Sequence, residues 1–336
     1  MARYAAARLL LTVPIVWILV TVIFVILRIM PGDPVLVVLG GRNVPPERIA
    51  EYRQRLGFDR PLPVQYLEYL GQIVRGDFGE SLRTRRPVVR ELVERFPATL
   101  ELAVAAMAVA SVLGLVSGVL AATRADRPAD HAMRLANVGL FAMPIFWLGL
   151  MLQMVFAVRL GWFPVGGRLD PVTAAFFEPI TGFYVLDAVL QRDWATLRGA
   201  LHHLALPALT LGLVLSGVVG RLSRTRLLDV LASDYVRTAR AKGVPEPRVI
   251  GRHALRNALI PIVTVIGLQF ALLLAGAVLT ETVYSWPGIG RYLLTSIDYR
   301  DYPAVQGSVV GIALFISTVN LLVDLTYPLI DPRVRF

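Results

Sequence analysis

The residues able to do chemistry in this chain are few and scattered. Histidine occurs only at His131, His202, His203 and His253, and cysteine is absent. The adjacent pair His202-His203 suggests metal ligation, but neighbours on a helix point about 100° apart and chelate poorly together. They read instead as an interfacial polar pair. Without cysteine there is no disulfide, no thiolate metal site and no cysteine nucleophile. No H-E-x-x-H, no G-x-S-x-G and no glycine-rich loop ending in Gly-Lys-Ser/Thr is present. The chain is therefore not equipped to hydrolyse ATP, and a membrane-embedded hydrolase has no nucleophile–base constellation to stand on. Of the carboxylates, Glu101 and Glu281 fall near the ends of apolar runs, whereas ion-coupled carriers place theirs, or broken helices, near the midplane. Gln153, Gln269 and Asn320 lie inside apolar runs, where uncharged polar side chains usually bond between helices. With Glu281 they are also the candidates for lining or gating a polar path.

The elements that carry these residues are membrane helices. The sequence is 56% hydrophobic and 17% charged, against ~45–50% and ~25% in soluble domains. A span needs about 20 mostly apolar residues. Six runs qualify: Leu9 to Ile29, Ala98 to Ala122, Ala136 to Ala157, Leu204 to Gly220, Ala258 to Val283, and Ala304 to Leu325. The fourth is the shortest. The first follows Arg3 and Arg8 like a secretory signal, but it is too long for a signal core and ends in Arg28-Ile29-Met30 with no small-x-small cleavage site, so it reads as an uncleaved helix.

Six spans place both termini on one side, and the basic residues decide which. With the termini cytoplasmic, the inner segments carry 16 Arg and Lys, and the two short outer segments, 159–202 and 284–303, carry 6. The third outer segment, 30–97, exceeds the ~60 residues for which the positive-inside rule holds. The net charge of +10 is thus a topology signal, and nucleic acid is not an expected partner. The sequence divides into 1–97, a first span with a long outer segment, and 98–336, a five-span core. Within the outer segment, Pro46 to Leu56, a stretch opened by Pro63 and another opened by Pro87 have half-apolar helical spacing, which predicts short amphipathic helices.

The inner segment 221–257 is the most informative. Ser233-Asp234 offers an N-cap, the residues from Tyr235 to Lys242 make about two helical turns, and Gly243 suits a C′ position with positive φ. Pro245 and Pro247 open a further helix through His253, Arg256 and Asn257 into the fifth run. A basic loop held at anionic lipids is one reading of this knob; its caps and small alanines favour docking into a groove on another protein.

The stretch Asp234-Tyr-Val-Arg-Thr-Ala-Arg-Ala-Lys-Gly243, followed by His253-Ala-Leu-Arg-Asn-Ala-Leu-Ile-Pro261, resembles the EAA loop of ABC importer permeases. The dipeptide/oligopeptide/nickel subfamily is the narrower match. Its first-type permease is also resembled by Pro31-Gly-Asp-Pro34, Gly57 to Tyr66, Gly76 to Ser81, Glu281-Thr-Val-Tyr-Ser-Trp-Pro-Gly-Ile-Gly290, Arg300 to Pro303, and Asp331 to Arg335. Two features depart from the strict loop: Arg237 stands where a glutamate is usual, and the later proline lies further from Gly243. The segment 159–202 is longer than the family leads one to expect.

The resemblance implies an all-α type I ABC importer transmembrane domain in a prokaryotic inner membrane. It implies no catalysis and no cofactor in this chain, with ATP and Mg used by two partner ATPase subunits. A second homologous permease and an extracytoplasmic binding protein would complete the importer. The implied ATPase-coupling residues are Asp234, Tyr235, Arg237, Thr238, Ala239, Arg240, Lys242, Gly243, His253, Arg256 and Asn257. Peptides are the first substrate class, with nickel, glutathione-like compounds or sugars as alternatives; an ion-coupled carrier is the rival from another class.

Single cysteines placed at Arg48 and Arg248 test the topology. An impermeant thiol reagent applied from outside should label position 48 and leave 248 untouched; the reverse pattern would invert the orientation.

Overall fold

The computed structural model describes residues 2–29, 35, 45–55 and 57–330. The sequence motifs Pro31–Pro34 and Asp331–Arg335 lie outside the described residues. Among those described, the chain is helical, with a lone antiparallel bridge between Glu80 and Pro87.

Helix α1, Ala2–Ile29, carries the first apolar run. Val20, Phe24 and Leu27 are buried at helical spacing, while Trp17, Ile18, Val25 and Ile29 are exposed, as suits a helix with one face on protein and one in lipid. Two predicted outer helices form as α2, Pro46–Arg55, and α3, Leu62–Val74. The third does not stand alone. It is the first part of α4, Val88–Thr123, which passes unbroken through Pro97 into the second run. At ~1.5 Å per residue its 36 residues exceed the ~30 Å of hydrocarbon, so part of α4 projects beyond the bilayer.

The third run is bent. Helix α5, Pro128–Ala142, ends where Met143 is driven to an extended conformation ahead of Pro144. The chain then turns by 103° into Ile145–Arg159, made of α6, Ile145–Leu152, and a π-helical stretch, Gln153–Arg159. In the segment 159–202, α7, Pro171–Phe176, is capped by the Asp170 carboxylate, and α8 spans Tyr184–Leu190. The fourth run, short in sequence, is the middle of α9, Trp194–Leu231, with 38 residues. Its polar flanks look like ends by hydropathy, yet they continue helical. Asp193 caps it, and bonds from Thr196 hold that carboxyl below the usual carboxylate range.

After α10, Asp234–Ala241, the chain resumes at Glu246–Arg248, passes a π-helical stretch, Val249–Leu255, and enters α11, Arg256–Gly276. The fifth run does not continue straight to Val283; it breaks at Ala277 and restarts as α12, Val278–Val283. Helices α13, Ile289–Asp298, and α14, Tyr302–Ile330, follow. By length and composition, four described stretches can cross a membrane, on α4, α9, Glu246–Phe270 and Tyr302–Leu321. The bent α5–α6 pair makes a fifth, and α1 contributes the shorter apolar stretch Val16–Ile29.

The core lies between α4 and α9. Ala98, Leu102, Ala103, Ala106 and Ala110 of α4 are buried against Leu204, Ala208 and Leu211 of α9. Small residues let the backbones approach: a Cβ on Gly118 would sit 2.8 Å from the carbonyl oxygen of Gly220 and 3.0 Å from the amide of Arg224. Such close contacts drive helix association in lipid, where burial from water contributes little.

Overpacking this seam should destabilise the fold by ~1–3 kcal/mol. Gly118→Val should lower the thermal midpoint of the detergent-purified protein. Gly139→Ala, at a helical glycine with no atom within 4 Å of a new Cβ, should leave it unchanged.

Candidate functional site

The knob is built from the end of α9 onward. Ser233 occupies the N-cap position of α10, but its hydroxyl donates back to the Val230 carbonyl at 2.5 Å and makes no bond to the first turn of α10. Val236 and Ala239, on one face of α10, are buried with Val249, and Val230, Leu231 and Val244 pack around them. This apolar contact fixes the short helix on its support. The other face is open: Asp234, Tyr235, Arg237, Thr238, Arg240 and Lys242 are exposed.

Gly243 ends α10 with φ +75, a conformation that costs a side-chain-bearing residue about 1–2 kcal/mol. Its amide donates to the Arg240 carbonyl at 2.9 Å, and that of Val244 to Ala239 at 3.2 Å. Arg240 spans the turn to grip Glu246 with two bonds, at 2.7 and 3.1 Å. The Tyr235 hydroxyl donates to the His253 carbonyl at 3.2 Å and accepts from Asn257 Nδ2 at 2.8 Å. Tyr235, His253 and Asn257, distant in sequence, therefore form one bonded group. Arg256 is exposed on the first turn of α11 beside it. Sequence reasoning missed Glu246 and Val249. Neither has a helical spacing to α10, because the glycine turn intervenes.

A second constellation gathers around Glu281. The Glu281 carboxylate, with no exposure, accepts from the Thr99 hydroxyl at 2.7 Å and from the Arg291 amide at 2.8 Å. Thr99 Oγ1 in turn accepts from the Ile289 amide at 2.9 Å. Trp286 Nε1 donates to the Ala98 carbonyl at 2.8 Å, and the Tyr284 hydroxyl donates to the Gly149 carbonyl at 3.0 Å. The turn from Glu281 to Gly290 thus clamps α4, α6 and α13. Gln153 joins the same region, donating to the Val165 and Val283 carbonyls at 2.7 and 3.1 Å. Gln269 on α11 and Asn320 on α14 are half-exposed. The two histidines are used locally: His202 Nε2 lies 2.7 Å from the Trp162 carbonyl and His203 Nδ1 3.1 Å from that of Gly199.

The model for the binding-protein-dependent transport system inner membrane component matches residues 114–336, and the model for the N-terminal part of such membrane components matches residues 1–103. The chain belongs to this family. This transport component is therefore a membrane subunit and not an enzyme. Among its relatives, a di/tripeptide transport system permease protein of Pseudomonas aeruginosa is 48% identical, over 100% of this chain and 99% of the relative. The dipeptide transport system permease protein of Escherichia coli strain K12 is 46% identical with the same coverage. A glutathione transport system permease protein of Salmonella choleraesuis is 39% identical over the full length of both.

In this transport component the clamp around Glu281 should be a stability element. Glu281→Ala orphans the Thr99 hydroxyl and the Arg291 amide, at ~1–3 kcal/mol for each buried group left unpaired. Its thermal midpoint and membrane abundance should fall. Glu281→Gln keeps an acceptor oxygen and should lose less.

Proposed function

We propose that this chain is one half of the translocation path of an ATP-driven importer of short peptides. The observation that carries the reading is the knob: α10 is held rigidly by Val236, Ala239 and Val249 yet presents an open polar face. Gln269 and Asn320 are our candidates for lining the path, Glu281 and Gln153 for holding its outer end. A second, homologous permease would supply the other half, two ATPase subunits would dock at the knob, and a binding protein would deliver substrate from outside. ATP and Mg would act in the ATPases. Peptide as the substrate rests on the names of the dipeptide and di/tripeptide relatives.

Closure of the ATPases on ATP would push α10, and α9 and α11 would carry that motion into the membrane as a rigid-body switch between inward- and outward-facing states. Gly243→Val tests the coupling. A Cβ there meets nothing within 4 Å, so the harm is confined to the backbone of the turn. Membrane abundance should stay near normal while dipeptide uptake and ATPase association are lost; normal uptake would remove the docking role.

The energy source is tested in liposomes. The complete complex should import a dipeptide with ATP, insensitive to an uncoupler, and the chain alone should show no flux. Gradient-driven uptake by the isolated chain would make it a carrier instead.

A further inference from the structure

Arg28 closes the last turn of α1, where the apolar span ends. A guanidinium at that level ordinarily snorkels into water. Here it turns into the protein. Its carbon stands 4.4 Å from the ring centre of Phe24, 5.4 Å from Phe58 and 5.5 Å from Tyr302. Nε and Nη2 both donate to Gln65 Oε1 at 3.2 Å. Three aromatic faces and an amide favour a cation, but none neutralises it, and no described carboxylate pairs with it.

The site has further unmet donors. Arg28 Nη1, the Tyr69 hydroxyl and Gln306 Nε2 are buried with no hydrogen-bond partner, and Gln306 is only 7% exposed. An unpaired buried donor costs about 1–3 kcal/mol, more when charged. All three residues wall one cavity of about 360 Å³ between α1, α3 and α14, far larger than the ~10–15 Å³ that one water needs. The acidic residues lining it are Glu68, already paired with Arg60, and Glu80, which is exposed, as is Arg85; Asp301, behind the wall, is taken up by Ser81 and the Leu82 amide. On the two helices that wall it, Ile26 and Ile29 of α1 and Leu62 and Leu67 of α3 are exposed apolar side chains.

We propose that this cavity binds a phosphate-type oxyanion, with Arg28 as the charged donor and Gln306 and Tyr69 as neutral ones. A phosphate group offers several strong acceptor oxygens to a guanidinium. The position at the end of a span, flanked by apolar side chains, suits a lipid phosphodiester; free phosphate shares the chemistry.

The test uses the delipidated full transporter in detergent, titrated with dihexanoylphosphatidylglycerol, dihexanoylglycerol and inorganic phosphate, with binding read by native mass spectrometry and calorimetry. The phosphorylated lipid should bind the wild type and weaken at least ~10-fold in Arg28→Gln, with Arg28→Lys between. Dihexanoylglycerol should show no dependence on Arg28, and Arg192→Gln, on the exposed outer segment, should bind like the wild type. Inorganic phosphate binding as tightly and with the same Arg28 dependence would keep the site and make free phosphate its ligand. Equal binding of the phosphorylated lipid by wild type and Arg28→Gln, or binding of neither phosphate ligand, would overturn the proposal. If Arg28→Gln does not assemble, Gln306→Met removes one neutral donor and should weaken binding ~3-fold; no change there would equally overturn it.

Discussion

Helices α4 and α9 approach so closely that a Cβ on Gly212 would stand 2.5 Å from Val109 Cγ1, and one on Gly114 would stand 2.5 Å from the Val219 Cβ. The other placements depend on this seam. In lipid the apolar effect does not press helices together, so close backbone packing must supply the attraction. The alanines of α4 serve the same end. With the two longest helices locked side by side, α5 packs across them, α11 leans on α9, and α1 and α14 pair along the edge.

Polar groups then fix what packing alone would leave free to slide. Asp130 on α5 is fully buried and takes two bonds of 2.6 Å from Arg224 on α9. Glu101 on α4 meets Arg168, just before α7, at 2.5 Å, and that guanidinium lies 3.6 Å from the ring centre of Tyr184. A buried ion pair is weak evidence for stability, because desolvation opposes the attraction. Its consequence here is registry: each pair has one geometry, so each sets the rotation and height of a helix.

The knob inherits this rigidity. Helix α9 extends beyond its apolar stretch to Leu231 and hands the chain to α10 within two residues. On the return, the π-helical stretch Val249–Leu255 leads into α11 without a break. The π turn brings Tyr235, His253 and Asn257 together. A push on the open face of α10 would therefore be carried by two helices at once, one of them part of the central seam.

Much of this was legible in the sequence. Runs of about 20 apolar residues can only be helices in a bilayer, since every backbone group must be satisfied within the segment. Gly243 announced its positive φ because capping is a local matter. The amphipathic spacing of Pro46–Arg55 and Leu62–Val74 was equally local. What the sequence left hidden depends on partners far along the chain. Hydropathy could not show that α9 continues past its polar flanks, because helix formers remain helical outside the membrane. It also could not show that the third run bends by 103° or that the fifth breaks at Ala277, where the turn must bring Glu281 to Thr99. Ser233 was read correctly as the cap position, but its hydroxyl had a nearer acceptor in Val230. Spacing fixes which residues can share a face; only the tertiary packing decided which buried donor met which acceptor, because those bonds join residues up to 220 positions apart.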